Sequence, residues 1–277
     1  MIFNYLKKKF KSLAYGPLRW LVAVVATVQQ TIKYLSPVII YIDKDGDWNN
    51  KRIGLHLVSP ELNVATMSQI KAAAIDYWCY TYGPKVGDIV VDVGAGIGDD
   101  AIIFSEMVKE SGSVYAIEAH PVTFRCLQKT IKLNKLNNVI AINLAISDKC
   151  GFLGISSGDS YLSNSILMTN EASSVMVPAD TLGSVFDKFN IDNIDFLKMN
   201  IEGGELPAMD CSQNGMGIPK NLAIACHDFK ANDEVSDFRT FVKIKSILER
   251  DGYAVINRPG DIRPYILYTL YGTRGSS

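Results

Sequence analysis

A ten-residue segment combines glycines with carboxylates in a pattern that indicates a nucleotide site. Residues 91–100 read VDVGAGIGDD, with Gly94, Gly96 and Gly98 after a run typical of a strand. Glycines let the backbone approach a ligand closely, and a helix that starts there favours a negative group. Glu118 ends the next predicted strand, 20 residues after Gly98, where a carboxylate can accept hydrogen bonds from two ribose hydroxyls. The segment and Glu118 together predict a nucleotide site.

The spacing and charge of this segment restrict the nucleotide. A dinucleotide fingerprint requires a glycine at the sixth position of GxGxxG, where this chain has Asp99. Asp92 precedes the turn and Asp100 follows it, and an acidic rim disfavours a pyrophosphate. The P-loop pattern GxxxxGK[ST] is not in the sequence. The rim suits a ligand with an amine and a cationic centre, which describes S-adenosylmethionine.

A second group of ionisable residues offers candidates for proton transfer. His227 and Asp228 follow a predicted strand, on the side where ligands bind in a sheet of this type. The pKa of a histidine can lie near neutrality, so His227 is our candidate general base, with Asp228 orienting it or binding substrate hydroxyls. Glu202 and Glu205 are competing candidates, either as the base or for holding the substrate. Glu205 is alternatively an acid in the first turn of a helix.

Metal and disulfide chemistry receive weaker support. Glu202, Asp228 and Asn200 offer oxygen ligands that suit magnesium, so magnesium is possible, but we predict no metal site. Residues 43–50 resemble a calcium loop, yet Gly54 stands where the twelfth-position glutamate belongs. The five cysteines are odd in number and form no CxxC pair, which disfavours a zinc site and favours reduced thiols in the cytoplasm.

These residues require a framework that brings strand ends together. From Lys85 onwards, apolar runs alternate with helical patterns, which predicts a doubly wound α/β domain over residues 85–277. Residues 151–178 read as a hairpin or loop. The predicted strands are 89–93, 114–118, 139–144, 194–201, 222–227, 253–257 and 265–271, and the predicted helices are 99–109, 121–134, 181–189 and 238–250.

Residues 1–84 form a predicted accessory segment ahead of that domain. Residues 2–13 place apolar side chains at helical spacing among lysines, and residues 61–82 predict a helix. The nine-residue apolar run at 20–28 is too short to span a membrane, which takes about 20 such residues. The basic helix either lies in a membrane interface or packs on the protein or a partner. Both alternatives remain open.

Overall composition excludes several classes of protein. The chain has 277 residues, 48% of them apolar, and a net charge of −1, which is ordinary globular composition without the basic excess of a nucleic-acid-binding protein. Residues 1–42 contain six basic and no acidic residues, so the remainder carries −7. This asymmetry suggests that the N-terminal segment binds a membrane surface. It suggests a cytoplasmic protein that is peripheral to that membrane.

Five motifs in order resemble one methyltransferase family. They are DVGAGIGDD at 92–100, EAHP at 118–121, AISDKCG at 145–151, VPADTL at 177–182 and DFLKMNIEGGE at 195–205. Over residues 85–257 the chain resembles the FkbM family of S-adenosylmethionine-dependent methyltransferases. The resemblance implies a class I methyltransferase fold, which is Rossmann-like, and O-methylation, commonly of a sugar hydroxyl on a glycoside, glycolipid or polysaccharide.

The resemblance also implies roles for individual residues. Four residues around the glycine turn would line the methionine part of the cofactor, and Glu118 would hold the ribose. Asp99 would contact the amino or ribose side, and three residues would lie beside the adenine. The four are Asp92, Gly94, Gly96 and Gly98, and the three are Ala119, Asn143 and Ala145.

The sequence departs from the family pattern at Asn200, where an aspartate is common. An asparagine still accepts a hydrogen bond but brings no charge, so any metal role is in doubt, while substrate contact remains a candidate role. The prediction is an O-methyltransferase that acts on a sugar or glycan-type acceptor, as a monomer or homo-oligomer. The alternative is a non-catalytic, methyltransferase-like scaffold that its basic N-terminus recruits to a membrane or complex.

Overall fold

In the described part of the accessory segment, two helices of more than ten residues accompany a small sheet. The computed structural model describes residues 13–156, 174–210, 218–231 and 238–275. Most of the basic helix predicted over 2–13, and the middle of the predicted 151–178 hairpin or loop, lie outside these ranges. The elements are α1 (Arg19–Tyr34), β1 (Val38–Ile42), β2 (Trp48–Arg52), β3 (Leu55–Ser59) and α2 (Met67–Tyr77).

Helix α2 lies within the helix predicted over residues 61–82, whereas α1 was not predicted, and a three-stranded antiparallel sheet in the order β1-β2-β3 accompanies both. The buried side of α1, with Val22 and Ala26, packs on Val38, Ile40 and Trp48 of this sheet. Helix α2 begins with a capping box, in which the side chains of Thr66 and Gln69 each accept from the other's backbone N–H. Tyr77 and Trp78 stack at the end of α2, with ring centroids 3.8 Å apart.

Ion pairs fasten the accessory sheet to the remainder of the chain. The turn between β1 and β2 holds Asp43, Asp45 and Asp47, whose carboxylates all lie 2.7–2.8 Å from Nζ of Lys129. Arg125 makes two further bonds to Asp47, of 2.6 and 3.0 Å. In the described part of the chain, this acidic trio is the one group of at least three potential metal ligands within reach of one another, and Lys129 already contacts all three carboxylates.

The remaining elements alternate as the sequence predicts, except that residues Pro264–Leu267 form a helix where the sequence predicts the start of a strand over 265–271. The strands in chain order are β4 (Ile89–Val93), β5 (Ser113–Glu118), β6 (Val139–Asn143), β7 (Ala145–Ile146), β8 (Gly151–Ser156), β9 (Ser174–Asp180), β10 (Phe196–Met199), β11 (Asn221–Ala225), β12 (Ala254–Ile256) and β13 (Thr269–Thr273). The helices are α3 (Asp99–Val108), α4 (Pro121–Asn134), α5 (Leu182–Phe189), α6 (Glu205–Asp210), α7 (Phe241–Arg250) and α8 (Pro264–Leu267).

Seven strands of the described chain form the central sheet in the order β12-β13-β11-β10-β4-β5-β6. Strands β11, β10, β4, β5 and β6 pair in parallel, and β13 runs antiparallel to both β11 and β12. The order reverses at β4, whose neighbours β10 and β5 lead away in opposite directions. Ligands bind at such a switch point, beyond the carboxyl ends of the strands.

Apolar layers cover both faces of the central sheet, as its nearly continuous apolar strands require. One layer contains Phe104 and Leu127 and extends to Leu57 of the accessory sheet. The other contains Phe186 and Leu248. Strands β8 and β9 pair antiparallel outside the sheet, which agrees with the hairpin alternative for 151–178. Among the described residues, no helix combines the length and the apolar character needed to cross a membrane.

Candidate active site

The glycine turn follows β4 and opens α3 at the switch point. Gly94, Gly96 and Gly98 all adopt positive φ angles, of 74°, 57° and 89°, which side chains disfavour. A Cβ at Gly94 would lie 2.0 Å from the backbone oxygen of Asn200, whereas a Cβ at Gly96 would meet nothing within 4 Å. Position 94 therefore requires glycine because a side chain would collide with the Asn200 backbone. At Gly96 the missing side chain leaves open space that a ligand can enter.

Glu118 lies at the carboxyl end of β5, beside this turn. The backbone N–H of Gly96 donates to its Oε2 at 3.0 Å, and that of His120 donates to Oε1 at 2.9 Å. Burial raises the pKa of Glu118 to about 7, although these two hydrogen bonds favour the charged form. The side chain is thus held rigidly at the position where the sequence predicts a ribose acceptor.

A cavity of about 280 Å³ joins the glycine turn to the ends of the neighbouring strands. Six of the nine predicted cofactor residues line it: Gly94, Gly96, Asp99, Glu118, Ala119 and Ala145. The other three support the walls. Asp92 lies beneath the turn, Gly98 packs against α4 at Leu127, and the Asn143 amide donates to the carbonyls of Glu118 and Ala119 at 2.9 and 3.0 Å.

A buried ion pair supports the floor of the cavity. Nζ of Lys198 lies 2.8 Å from Oδ1 of Asp92 and donates to the carbonyl of Gly94 at 2.8 Å. The same group lies 5.0 Å from the centre of the Trp78 ring. Burial disfavours the ammonium, but Asp92 and Asp100 outweigh that effect and raise the pKa of Lys198. Lys198 therefore fixes the glycine turn while remaining charged.

The candidate proton-transfer residues form one chain of contacts. Glu202 lines the cavity from a strained backbone position, with φ of 54°. Its Oε1 lies 3.4 Å from Nε2 of His227, and its Oε2 accepts from Lys230. Nδ1 of His227 lies 2.7 Å from Oε1 of Glu205, which also accepts from the Gly203 N–H at 3.1 Å. The order from the cavity inward is Glu202, His227 and Glu205.

The electrostatics of this cluster assign its charges. Burial disfavours the imidazolium of His227, but Glu202 and Glu205 outweigh it and raise the pKa of His227 to about 9. Burial alone would raise the pKa of Glu202, but His227 and Lys230 outweigh it and lower that pKa. At neutral pH, Glu202 is therefore an ionised carboxylate beside a protonated histidine.

The structure thus separates residues that the sequence placed together. His227 and Glu205 are buried and do not line the cavity, so both sit behind Glu202 rather than beside a ligand. The Asp228 carboxylate accepts from the N–H groups of Thr240 and Phe241 at 3.1 and 3.0 Å, and so it caps α7. Asn200 does line the cavity.

Sequence reasoning missed several residues of the cavity. Tyr77 and Trp78 line it at the end of α2, and so does Lys198. A lysine inside an otherwise apolar strand, FLKM at 196–199, was the available signal, because a buried lysine requires a nearby carboxylate.

Comparison with known families decides the class of protein. The model of the FkbM methyltransferase domain matches residues 92–255, which is more than half of the chain. The chain belongs to the FkbM methyltransferase family. The family resemblance drawn from the five motifs is confirmed, and so are the class I methyltransferase fold and the use of S-adenosylmethionine.

Individual relatives are similar over shorter or more divergent stretches. A tRNA(Phe) aminocarboxypropyltransferase of Methanocaldococcus jannaschii is 49% identical over 55 residues, which cover 20% of this chain and 22% of that protein. A protein-L-isoaspartate O-methyltransferase of Fervidobacterium nodosum is 41% identical over 58 residues, which cover 21% of this chain and 29% of that protein. This FkbM methyltransferase thus spans less than a third of the length of each of these curated relatives.

A solved FkbM methyltransferase from Methylobacillus flagellatus is 17% identical to this chain. The alignment covers 70% of this chain and 45% of that protein, with a TM-score of 0.47. This chain therefore matches less than half of the solved protein.

The residues present fit S-adenosylmethionine. The open space at Gly96 admits the ligand, Glu118 can accept from the ribose, and the acidic groups at the start of α3 suit its amine and sulfonium charges. Leu144 and Ile146 flank Ala145 on the cavity wall, and they supply an apolar surface that suits the adenine.

Proposed function

We propose that this FkbM methyltransferase methylates a hydroxyl group of a sugar, glycan or glycolipid-type acceptor. The observation that carries the proposal is the position of Glu202, an ionised carboxylate on the wall of the cofactor cavity. A sugar hydroxyl is a weak nucleophile, and a carboxylate that takes its proton accelerates the transfer by about 10²–10⁴-fold.

The proton-transfer step assigns separate roles to the cluster. Bound S-adenosylmethionine supplies an electrophilic methyl group, so a new O–C bond forms as the C–S bond breaks. Glu202 accepts the hydroxyl proton and later releases it to solvent. His227 has a raised pKa of about 9 and both nitrogens face carboxylates, so it holds Glu202 in place rather than acting as the base. Glu205 in turn holds His227.

The charge of the cavity supports an uncharged, hydroxyl-bearing acceptor. Four carboxylate side chains line the cofactor cavity, and the ammonium of Lys198 is paired with the buried carboxylate of Asp92. Glu202 is the one of these four whose pKa is lowered, and its negative charge disfavours a polyanionic acceptor. The proposal therefore favours an uncharged acceptor over nucleic acid. The four are Asp99, Asp100, Glu118 and Glu202.

A second cavity beside the first supplies the acceptor side. Its volume is about 580 Å³, and it shares Ala73 and Asp99 with the cofactor cavity. Gln30 and Tyr34 of α1, Asn63 and Gln69 also line it. Amides both donate and accept hydrogen bonds, as sugar hydroxyls do.

The far wall of the second cavity is rigidly built. Arg52 donates to Oε1 of Gln30 and to the Val64 carbonyl, both at 2.9 Å. Asn50 donates to the Ala65 carbonyl at 2.8 Å. These bonds tie the segment before α2 to the accessory sheet. The accessory segment therefore shapes the proposed acceptor site.

The test is methyl transfer from isotopically labelled S-adenosylmethionine to a panel of glycosides and glycolipids, with products identified by mass spectrometry. We expect an O-methylated product, and a Glu202→Gln variant that binds S-adenosylhomocysteine normally but turns over at least about 100-fold more slowly. Retained turnover in Glu202→Gln would reject Glu202 as the base. Cofactor binding without any product over the whole panel would favour the scaffold alternative.

The proposed setting is the cytoplasm, with association at a membrane surface through residues 1–42. Self-association of the chain remains open within this proposal, since nothing in the methyl-transfer chemistry requires a second copy.

A further inference from the structure

The outer side of helix α1 exposes an unusual concentration of apolar side chains. Ten of the twenty-six exposed large apolar side chains in the described chain lie between residues 13 and 35. Seven of them belong to α1 or follow it directly, and their exposed fractions run from 42% at Leu21 to 92% at Leu35. We call these seven the α1 apolar face: Trp20, Leu21, Val24, Val25, Val28, Ile32 and Leu35.

The helical period places these residues on one side. At 100° per residue, the seven side chains fall within an arc of about 140°. The buried residues Val22, Ala23, Ala26 and Gln30 fall on the opposite side, which packs on the accessory sheet. The helix is therefore apolar on both sides, and only one side is covered in the described structure. Isolated exposed apolar side chains are ordinary, whereas a continuous patch of this kind marks an interaction surface.

The charge near this face indicates what covers it. Residues 1–42 contain Lys7, Lys8, Lys9, Lys11, Arg19 and Lys33, and no acidic residue. A basic segment next to an apolar helix face matches an anionic lipid surface, in which apolar side chains enter the interface and lysines meet the headgroups. Residues 43–277, at −7, are repelled by the same surface, which favours an orientation with residues 1–42 toward the lipid.

We propose that the α1 apolar face docks this FkbM methyltransferase onto an anionic membrane surface, to which the charge of +6 over residues 1–42 attracts it. The docking surface gives the proposed association of residues 1–42 a defined site. The docking proposal rests on the proposed membrane association but not on the methyl-transfer chemistry, so the docking proposal and the proposed reaction can fail separately.

Helix α1 also contributes to the proposed acceptor site. Gln30, Lys33 and Tyr34 belong to α1 and line the second cavity. They lie outside the arc of the α1 apolar face, so the helix has its apolar face on one side and a wall of the proposed acceptor site on another.

The experiment is flotation of the full chain with phosphatidylcholine vesicles, with and without about 30% phosphatidylglycerol. We expect binding to the anionic vesicles that weakens as salt is raised. The double variant Val24→Glu/Val28→Glu places two carboxylates on the α1 apolar face and is expected to bind at least about tenfold more weakly. The matched control is Ile262→Glu, because Ile262 is 96% exposed and lies far along the chain from α1.

Far-UV circular dichroism and binding of S-adenosylhomocysteine establish that each variant is folded. The proposal is overturned if the full chain does not float with anionic vesicles, or if the double variant floats as well as the unmodified chain. Analytical ultracentrifugation without lipid tests whether a second copy of the chain, rather than a membrane, covers the α1 apolar face. A dimer that Val24→Glu/Val28→Glu converts to monomer would assign the face to a second copy of the chain and reject the membrane.

Discussion

Nδ1 of His227 lies 2.7 Å from Oε1 of Glu205, and both side chains are buried behind Glu202. This pair places a positive charge directly behind the carboxylate that lines the cofactor cavity. A histidine in this position is a support for Glu202, because its own proton is held between two acids. The contact therefore supports the positioning role that we propose for His227, in place of the general base that the sequence predicts.

The raised pKa of His227 makes stability depend on pH. The ordinary histidine pKa is 6.5 and the folded value is about 9, so the folded state binds the proton more tightly. The stabilisation is complete below pH 6.5 and is lost as the pH rises through 9, by about 3 kcal/mol in total. Urea unfolding between pH 6 and pH 9.5 measures this loss.

The matched variant for that measurement is Glu205→Gln/His227→Gln, which replaces the buried charged pair by two amides. Its free energy of unfolding is expected to fall much less over the same pH range, because the contributions of thiols and tyrosines are common to both proteins. An equal fall in both proteins would show that His227 is not the group responsible.

Cofactor affinity is expected to depend on the ionisation of Glu118. Its pKa is raised to about 7, and only the ionised carboxylate accepts hydrogen bonds from both ribose hydroxyls. The affinity for S-adenosylhomocysteine should therefore decline as the pH falls below 7, as titration calorimetry can measure. Asp99 and Asp100 also have raised pKa values, so Glu118→Gln is expected to bind more weakly and to reduce the pH dependence without abolishing it. If Glu118→Gln bound S-adenosylhomocysteine with the same affinity and pH dependence as the unmodified protein, the ribose would not lie at Glu118.

Two glycines of the same turn are expected to tolerate alanine differently. Gly94→Ala puts a Cβ 2.0 Å from the Asn200 oxygen, so it should cost about 3 kcal/mol or more and abolish cofactor binding. Gly96→Ala meets open space, so it should cost only about 1–2 kcal/mol for its positive φ. Gly96→Ala should nevertheless weaken cofactor binding, because its methyl enters the cavity. Thermal unfolding and calorimetry test both variants, and equal stability losses would contradict the difference.

Two lysines in ion pairs of similar length are expected to differ greatly in their contribution to stability. Lys198 and Asp92 are both buried, 2.8 Å apart, whereas Lys220 is 59% exposed beside Asp195 at 2.7 Å. Lys198→Met leaves a buried carboxylate without its cation and should lower the free energy of unfolding by about 3–5 kcal/mol. Lys220→Met should lower it by about 1 kcal/mol or less. Denaturant titration compares them, and a small effect at Lys198 would show that Asp92 is neutral in the fold.

The sequence by itself determined the fold class, the family and the cofactor. Alternation of strands and helices is a local property, and the glycine turn with Glu118 has a fixed spacing along the chain, because consecutive strands and helices bring those residues together in every sheet of this type. The five motifs from 92 to 205 added the family. Most of the predicted cofactor residues line the cavity for this reason.

Only the tertiary structure decided which of the polar strand ends faces the cavity. Glu202, His227, Glu205 and Asp228 all follow strands, yet only Glu202 lines the cavity, while Asp228 caps a helix and the other two are buried. Their orientation depends on partners distant in sequence, such as Lys230 and the N-terminus of α7. The sequence likewise shows that α1 is apolar, but not that one side of it is uncovered, because that depends on how the accessory sheet packs.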